Sequence, residues 1–218
     1  MTTEQEARFY FPDSRRSMLI EKITSNWEYS HSYHEVTTMY DNPNPDLSFY
    51  KPEVDGRLRV RISKQVKDEE LGASKNQDGS ACLITWKRRI PEQQNDGIQR
   101  EEEIEYSVHP DEAENAVGIY EKVLKCPRVS SYERTRHFFH GESLQITLDE
   151  FPFGLMLEFE LKGTEDDSIL NNAMKRFELA DEEASDLSCD DKYRQLCESS
   201  GIKPKSDIAF SDPTMPKI

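Results

Sequence analysis

Gly56-Arg57-Leu58-Arg59-Val60-Arg61-Ile62 alternates without a break between basic and aliphatic residues. Successive side chains of an extended chain point to opposite faces. The stretch therefore predicts a strand with Arg57, Arg59 and Arg61 on one face and Leu58, Val60 and Ile62 on the other. On an ordinary half-buried sheet the aliphatic face goes to the core and the arginines to water. In a closed barrel with a wet bore, the arginines point inward instead. The period is the same in both cases, so one strand does not separate them. The two-residue spacing recurs at Arg134 and Arg136, and Lys87 ends a further alternating stretch, Leu83-Ile84-Thr85-Trp86-Lys87. Three basic strand faces favour a shared basic interior, because guanidinium forks match phosphate oxygens and lysine adds a point charge.

Working outward, Glu4 to Phe11 reads as a strand, and Pro12-Asp13-Ser14 opens a helix with Met18, Leu19 and Ile23 on its apolar side. Val36 to Asp41 is a second strand, closed by the turn residues Asn42-Pro43-Asn44-Pro45. Beyond the arginine strand, Lys64 to Ser80 reads as a polar loop and Ala81 to Arg88 as a strand. Asp96-Gly97 then turns into a strand over Gln99 to Val108. Pro110 to Leu124 has helical spacing. Val129 to Phe139, Leu144 to Asp149 and Leu155 to Leu161 are strands, the first two joined through Gly141. About eight strands with two helical insertions predict an α+β protein. That number is enough to close an eight-stranded antiparallel β-barrel around a small ligand, and the expected architecture is such a closed barrel, or tunnel, with helices packed outside. The expected organisation is a barrel over 1–163, a C-terminal helical extension of the same domain over 164–200, and a flexible tail over 201–218.

Composition narrows the ligand. With 28 Lys+Arg against 43 Asp+Glu, the formal net charge of the 218 residues is −15. A uniformly acidic surface repels nucleic acid and anionic lipid, so a polyanion has to be held by a local basic cluster. The four cysteines form no Cys-x-x-Cys pair, which argues against zinc and for reduced thiols. No leader-like or membrane-spanning apolar run is present, so a cytoplasmic location without a membrane partner is expected. Carboxylates repeat with the arginines' spacing: Glu4 with Glu6, Glu158 with Glu160, and Asp149 one strand earlier. First and last strands are neighbours in a closed barrel. The two pairs then meet and offer the oxygen ligands that hard divalent ions take.

These pieces, in this order, resemble the CYTH family of triphosphate tunnel proteins. Glu4-Gln5-Glu6-Ala7-Arg8 is similar to the family's opening E-x-E-x-K, and Tyr40-Asp41-Asn42-Pro43 to its Y-D-T-P turn. Leu58-Arg59-Val60-Arg61 and Leu83 to Lys87 are similar to its L-R-x-R and L-T-x-K strands. Arg134-Thr135-Arg136 sits where the family has a K-x-R pair. Leu148-Asp149-Glu150, Gly154 and Glu158-Phe159-Glu160 resemble its L-D-E…G…E-I-E ending, and Tyr193 to Cys197 its tail. The resemblance implies that Arg59, Arg61, Lys87, Arg134 and Arg136 hold a triphosphate. It implies that Glu4, Glu6, Asp149, Glu158 and Glu160 hold Mg²⁺ or Mn²⁺, and that Glu4, Glu6, Arg8, Glu158 and Glu160 form the catalytic set. The implied activity is metal-dependent hydrolysis of inorganic triphosphate or of an organic one, nucleic acid entering only through a 5′-triphosphate end. Class IV-type adenylate cyclase and a non-catalytic triphosphate-binding module are the alternatives.

The chain departs from the family pattern at Arg8, where the family has lysine, and at Met39, where some thiamine-triphosphatase-like members have tyrosine. Arginine keeps its proton, so Arg8 is expected to act as a fixed cation on phosphate and not as a base. Arginine here is also similar to RNA triphosphatases of the wider superfamily. Arg57 has no counterpart in the pattern, and the five histidines carry no role in it. Glu101, Glu103 and Glu105 share one strand face, and either pair with tunnel bases or face water.

Overall fold

The structure is a computed structural model describing residues 2–71, 79–90, 98–141, 143–164, 166–179 and 184–218, with backbone only for 2–4. Its strands are β1 (Thr2–Phe11), β2 (Glu28–Tyr40), β3 (Gly56–Val66), β4 (Ser80–Arg89), β5 (Gln99–Val108), β6 (Arg128–His140), β7 (Leu144–Phe151) and β8 (Gly154–Leu161). They are hydrogen-bonded in the order β2-β3-β4-β5-β1-β8-β7-β6, and a β2–β6 ladder closes the ring. Every neighbouring pair in the ring is antiparallel. The helices are α1 (Arg16–Thr24), α2 (Ala113–Gly118), α3 (Asp167–Arg176) and α4 (Cys189–Ser199). The helical stretch expected over Pro110 to Leu124 is composite: a 3₁₀ turn at Pro110–Glu112, then α2, then a π-helical turn at Ile119–Val123.

The apolar core lies on the outside of the barrel wall. Ala7 and Phe9 of β1, Ile146 and Leu148 of β7, and Leu157 and Phe159 of β8 pack against Leu19, Ile20 and Ile23 of α1 and Leu170, Ala173 and Met174 of α3. Helix α3 starts where the Asp166 carboxylate accepts the Ser168 N–H, and Lys175 and Arg176 in its last turn complement its dipole. Burying Phe9 and Phe159, whose rings meet edge-on with centroids 6.1 Å apart, stabilises by about 1.5–3 kcal/mol each. A second outer cluster sets Leu58, Val60, Cys82 and Ile84 under Ala113 and Tyr120. The aliphatic face of the arginine strand is thus buried outward, which leaves the arginines the bore.

Three expectations change. Strand β2 begins at Glu28 and not at Val36, because β6 pairs with it from Glu28↔His140 onward. Strand β3 runs on to Val66, into the stretch read as loop. The segment 201–218, read as a flexible tail, lies against the barrel. Its Asp207–Ile208 pairs, parallel, with Ser131 and Tyr132 where β6 projects beyond β7. Ile208 and Met215 are buried, and the Ile218 N–H donates to the Phe153 carbonyl. Gly154 permits that close approach: its φ is +147°, and a Cβ there would stand 2.7 Å from Ile218 Cδ1. The Asp96-Gly97 turn and residues 72–78 of the expected loop lie outside the described residues.

Candidate active site in the barrel bore

Cross-strand partners share a face, so the ladders fix what the bore contains. Arg59 stands opposite Met39 and Thr85, and Arg61 opposite Thr37 and Leu83. Arg57 stands opposite Lys87, which stands opposite Glu103. On the far side Arg8 faces Glu158, Arg136 faces Asp149 and Glu35 faces Arg134. Alternation along each strand then brings Arg59, Arg61, Lys87, Arg134, Arg136, Arg8 and Glu158 to one cavity, with about 710 Å³ of space counting its opening to solvent. Met39, Tyr132, Phe151 and Met156 give that cavity an apolar floor, and Ser188, Cys189 and Asp190 at the start of α4 border it.

One part of the bore is a carboxylate nest around Arg8. Arg8 donates from Nε to Glu158 Oε2 at 2.9 Å and from Nη1 to Gln99 Oε1 at 2.9 Å. Its Nη2 donates to Glu6 Oε1 and, at 3.3 Å, to Glu101 Oε2. Lys87 Nζ lies 3.3 Å from Glu101 and 3.6 Å from Glu103. Burial works against the charge on Glu158, but the Arg136 and Arg8 guanidiniums outweigh it and hold its carboxyl down at about 2. Glu101 is likewise lowered: burial opposes the charge, and Arg8 and Lys87 overcome it.

The other part is a cluster of arginines. Arg134 donates to Glu35 at 2.6 Å and to Asp149 at 2.8 Å. Arg136 grips Asp149 with Nε at 2.6 Å and Nη2 at 2.7 Å, and its Nη2 reaches Glu158 at 3.3 Å. Arg61 lies 3.6 Å from Glu35, and Arg59 lies 3.5 Å from Glu103. Burial, together with repulsion from Arg59 and Arg134, pushes Arg61 down to about 10. Glu35 stays far below the usual carboxylate range: burial opposes its charge, and Arg134 and Arg61 prevail.

The five residues expected on phosphate therefore meet in one cavity, together with Arg8 and Glu158. Glu6 joins them through Arg8. Glu160 shares their face and stands opposite Glu6, but it is engaged by Lys162 and, at 3.2 Å, by Gln145. Asp149, named as a metal ligand, is wholly buried and its two oxygens are taken by Arg134 and Arg136. The backbone of Glu4 pairs with Glu101, while its side chain lies outside the described residues. Arg57 binds Asp55 at 3.0 Å and, with Arg89, reaches Asp191 of α4, at 3.5 and 3.2 Å. Glu101 and Glu103 turn out to pair with tunnel bases. Glu105 is exposed and accepts from Thr85 Oγ1 at 2.9 Å.

Sequence reasoning missed Glu35 and Gln99. Glu35 is one residue before the strand as read, and its signal was the two-residue step Glu35-Thr37-Met39. Outside the bore, Asp68, His137 and Glu150 bring ligand atoms within 4.8 Å of one another. The Arg16 guanidinium already sits between the two carboxylates, 2.6 Å from Asp68 and 2.5 Å from Glu150. Inside the bore, Glu6, Glu101 and Glu158 all reach a single cationic group. An all-oxygen carboxylate set of that kind fits Mg²⁺ or Mn²⁺ by its donor chemistry.

No protein-family model and no curated protein sequence matches the chain. Solved structures share its fold. A Pyrococcus horikoshii protein, PH1819, is 20% identical with a TM-score of 0.62, covering 88% of this chain and 98% of its own. A Hippeastrum candidate adenylyl cyclase, described as having a dominant triphosphatase activity, is 16% identical with a TM-score of 0.59, covering 94% and 98%. A candidate adenylate cyclase from Vibrio parahaemolyticus is 16% identical with a TM-score of 0.56, covering 86% and 95%. At such identities the likeness establishes the fold: the closed tunnel barrel that the ordered motifs resemble.

Proposed function

We propose that this chain is a metal-dependent triphosphatase that binds inorganic triphosphate, or a nucleoside or RNA 5′-triphosphate, in the bore. The observation that carries the reading is the meeting of Arg59, Arg61, Lys87, Arg134 and Arg136 in one cavity with Arg8 and Glu158. A chain of net charge −15 gathers basic side chains at this internal surface, where a triphosphate would add anionic oxygens to the carboxylates already there. Arg59, Arg61 and Arg134 would orient the phosphate chain, and Lys87 and Arg136 would hold its end beside the carboxylates. Glu6, Glu101 and Glu158 would hold Mg²⁺ or Mn²⁺, which when bound neutralises charge on phosphate oxygens. The triphosphatase activity described for the Hippeastrum protein, whose fold this chain shares, supports the same reading.

The test is product analysis across inorganic triphosphate, nucleoside triphosphates and a 5′-triphosphate RNA, with Mg²⁺ or Mn²⁺. Orthophosphate release supports hydrolysis. Pyrophosphate with a cyclic nucleotide selects the cyclase reading, to which the candidate cyclases of the same fold lend support. Tight binding of triphosphate without any product selects a binding module.

A further inference from the structure

We infer that Arg8 is a built-in counter-cation for the carboxylate nest, and that a divalent ion reaches those carboxylates only together with a triphosphate that draws Arg8 away. The inference rests on the proposed reading of the bore and deepens it, by making metal and triphosphate binding one coupled event. It starts from where the guanidinium lies. Arg8 is buried, and all three of its nitrogens are engaged by four side chains from β1, β5 and β8: Glu6, Gln99, Glu101 and Glu158. The oxygens it binds on Glu6 and Glu158 are the same oxygens a hard cation would need.

Charge balance makes the two cations rivals. Glu101 is also served by Lys87, and Glu158 also by Arg136. A dication added while Arg8 stays would be repelled by three neighbouring positive groups at short range, in a setting poorly screened by water. Arg8 therefore has to leave the nest, and once out it needs an anion. It borders the same cavity as Arg59, Arg61 and Arg134, so a triphosphate lying there is the anion within its reach. A lysine at this position would grip the nest as a single point, whereas the arginine fork binds several carboxylates at once. The substitution thus raises the barrier against metal entering alone. By linkage, each ligand then strengthens the other to the same degree.

The experiment measures Mn²⁺ binding to the whole chain by electron paramagnetic resonance of free Mn²⁺, with no triphosphate present, in wild type and in Arg8→Gln. The expected result is weak binding by wild type and at least roughly tenfold tighter binding by the variant, the scale of a lost charge-assisted contact. Equal affinities, or tight binding by wild type, overturn the inference. Should Arg8→Gln fail to fold, Arg8→Lys takes its place, because a lysine grips the nest at a single point, and Mn²⁺ affinity no tighter than that of wild type then overturns the inference. The thermal midpoints of wild type and variant are also measured with Mn²⁺, with non-hydrolysable imidotriphosphate, and with both. Mn²⁺ chelated by imidotriphosphate gives a joint shift on its own, so the readout is the excess over the sum of the separate shifts in wild type against the variant: a larger excess in wild type supports coupling through Arg8, and an equal excess refutes it. Neither readout is turnover. Coupled binding without any hydrolysis keeps Arg8's role and removes the catalytic reading, while hydrolysis with uncoupled binding does the reverse.

Discussion

The two sides of the bore use buried charge in opposite ways. Around β1, β5 and β8 carboxylates predominate, and Glu6, Glu101, Glu103, Glu158 and Glu160 each have a base against them, so Glu158 and Glu101 are held ionised. Around β2, β3 and β6 arginines predominate. Glu35 serves both Arg134 and Arg61, and Arg61 is pushed down to about 10 by burial and by its arginine neighbours. The first side is closed upon itself, and on the second Arg61 is held against the repulsion of its arginine neighbours. Such an asymmetry suits a ligand with a polyanionic body for the arginines and a cation for the carboxylates.

The largest effect is expected from Glu158→Gln, which strikes the point where the two sides touch. Turnover should fall about a hundredfold or more, comparable to the loss of a charge-stabilising group in other active sites, while circular dichroism still reports a folded barrel. Excess chelator should do the same to wild type, and turnover that survives chelation would remove the carboxylate side from the chemistry. Next comes Phe159→Ala on the outer face of the same strand. It should cost about 3–5 kcal/mol of stability, roughly ten degrees in thermal midpoint, with triphosphate affinity unchanged in the folded fraction. A selective loss of affinity there would mean that the outer core and the bore are not separable.

Arg61→Ala should weaken triphosphate binding about tenfold by calorimetry while leaving the thermal midpoint level or raising it, since repulsion is relieved. A large drop in midpoint would show that the arginine side is a structural network and not a reserve for an anion. The smallest difference to be read between two proteins is in acid stability, wild type against Glu158→Gln. Glu158 and Glu101 have depressed carboxyls, as does Glu35, so their contribution is complete above about pH 4.5, where the unfolded chain is ionised. It is lost as pH falls toward about 2. Denaturation midpoints followed from pH 6 to pH 2 should therefore drop steeply at the acid end, and less so in Glu158→Gln.

Strands whose outer face is aliphatic were legible from alternation alone: Arg57 to Ile62, Ala81 to Arg88 and Leu155 to Leu161 all have it. The first half of β2 was not. Tyr29-Ser30-His31-Ser32-Tyr33-His34 carries no aliphatic alternation, and its strand form comes from the β6 ladder, which a local reading cannot see. Glu35 was lost with it. The arginine positions were readable because basic residues two apart recur in two strands, and Lys87 adds a third basic face. Their pairing was not, since which carboxylate meets which base depends on the register between strands far apart in sequence. Glu35 and Arg134 are 99 residues apart, and Arg8 and Glu158 are 150. The tail was read as loose from its prolines, yet Ile208, Met215 and Ile218 find apolar seats on the barrel end.

The β2–β6 ladder also governs how the chain reaches this state. A strand starting at Glu28 has to wait for one ending at His140, and β1 has to wait for β8. Contacts this distant place folding at the slow end of the range for a domain of this size. Until the ring closes, two strand edges stay open, and the bore's charges are half-paired and wet. Closing the seam joins Glu35 to Arg134, and so dehydrates the bore and completes the wall in the same act.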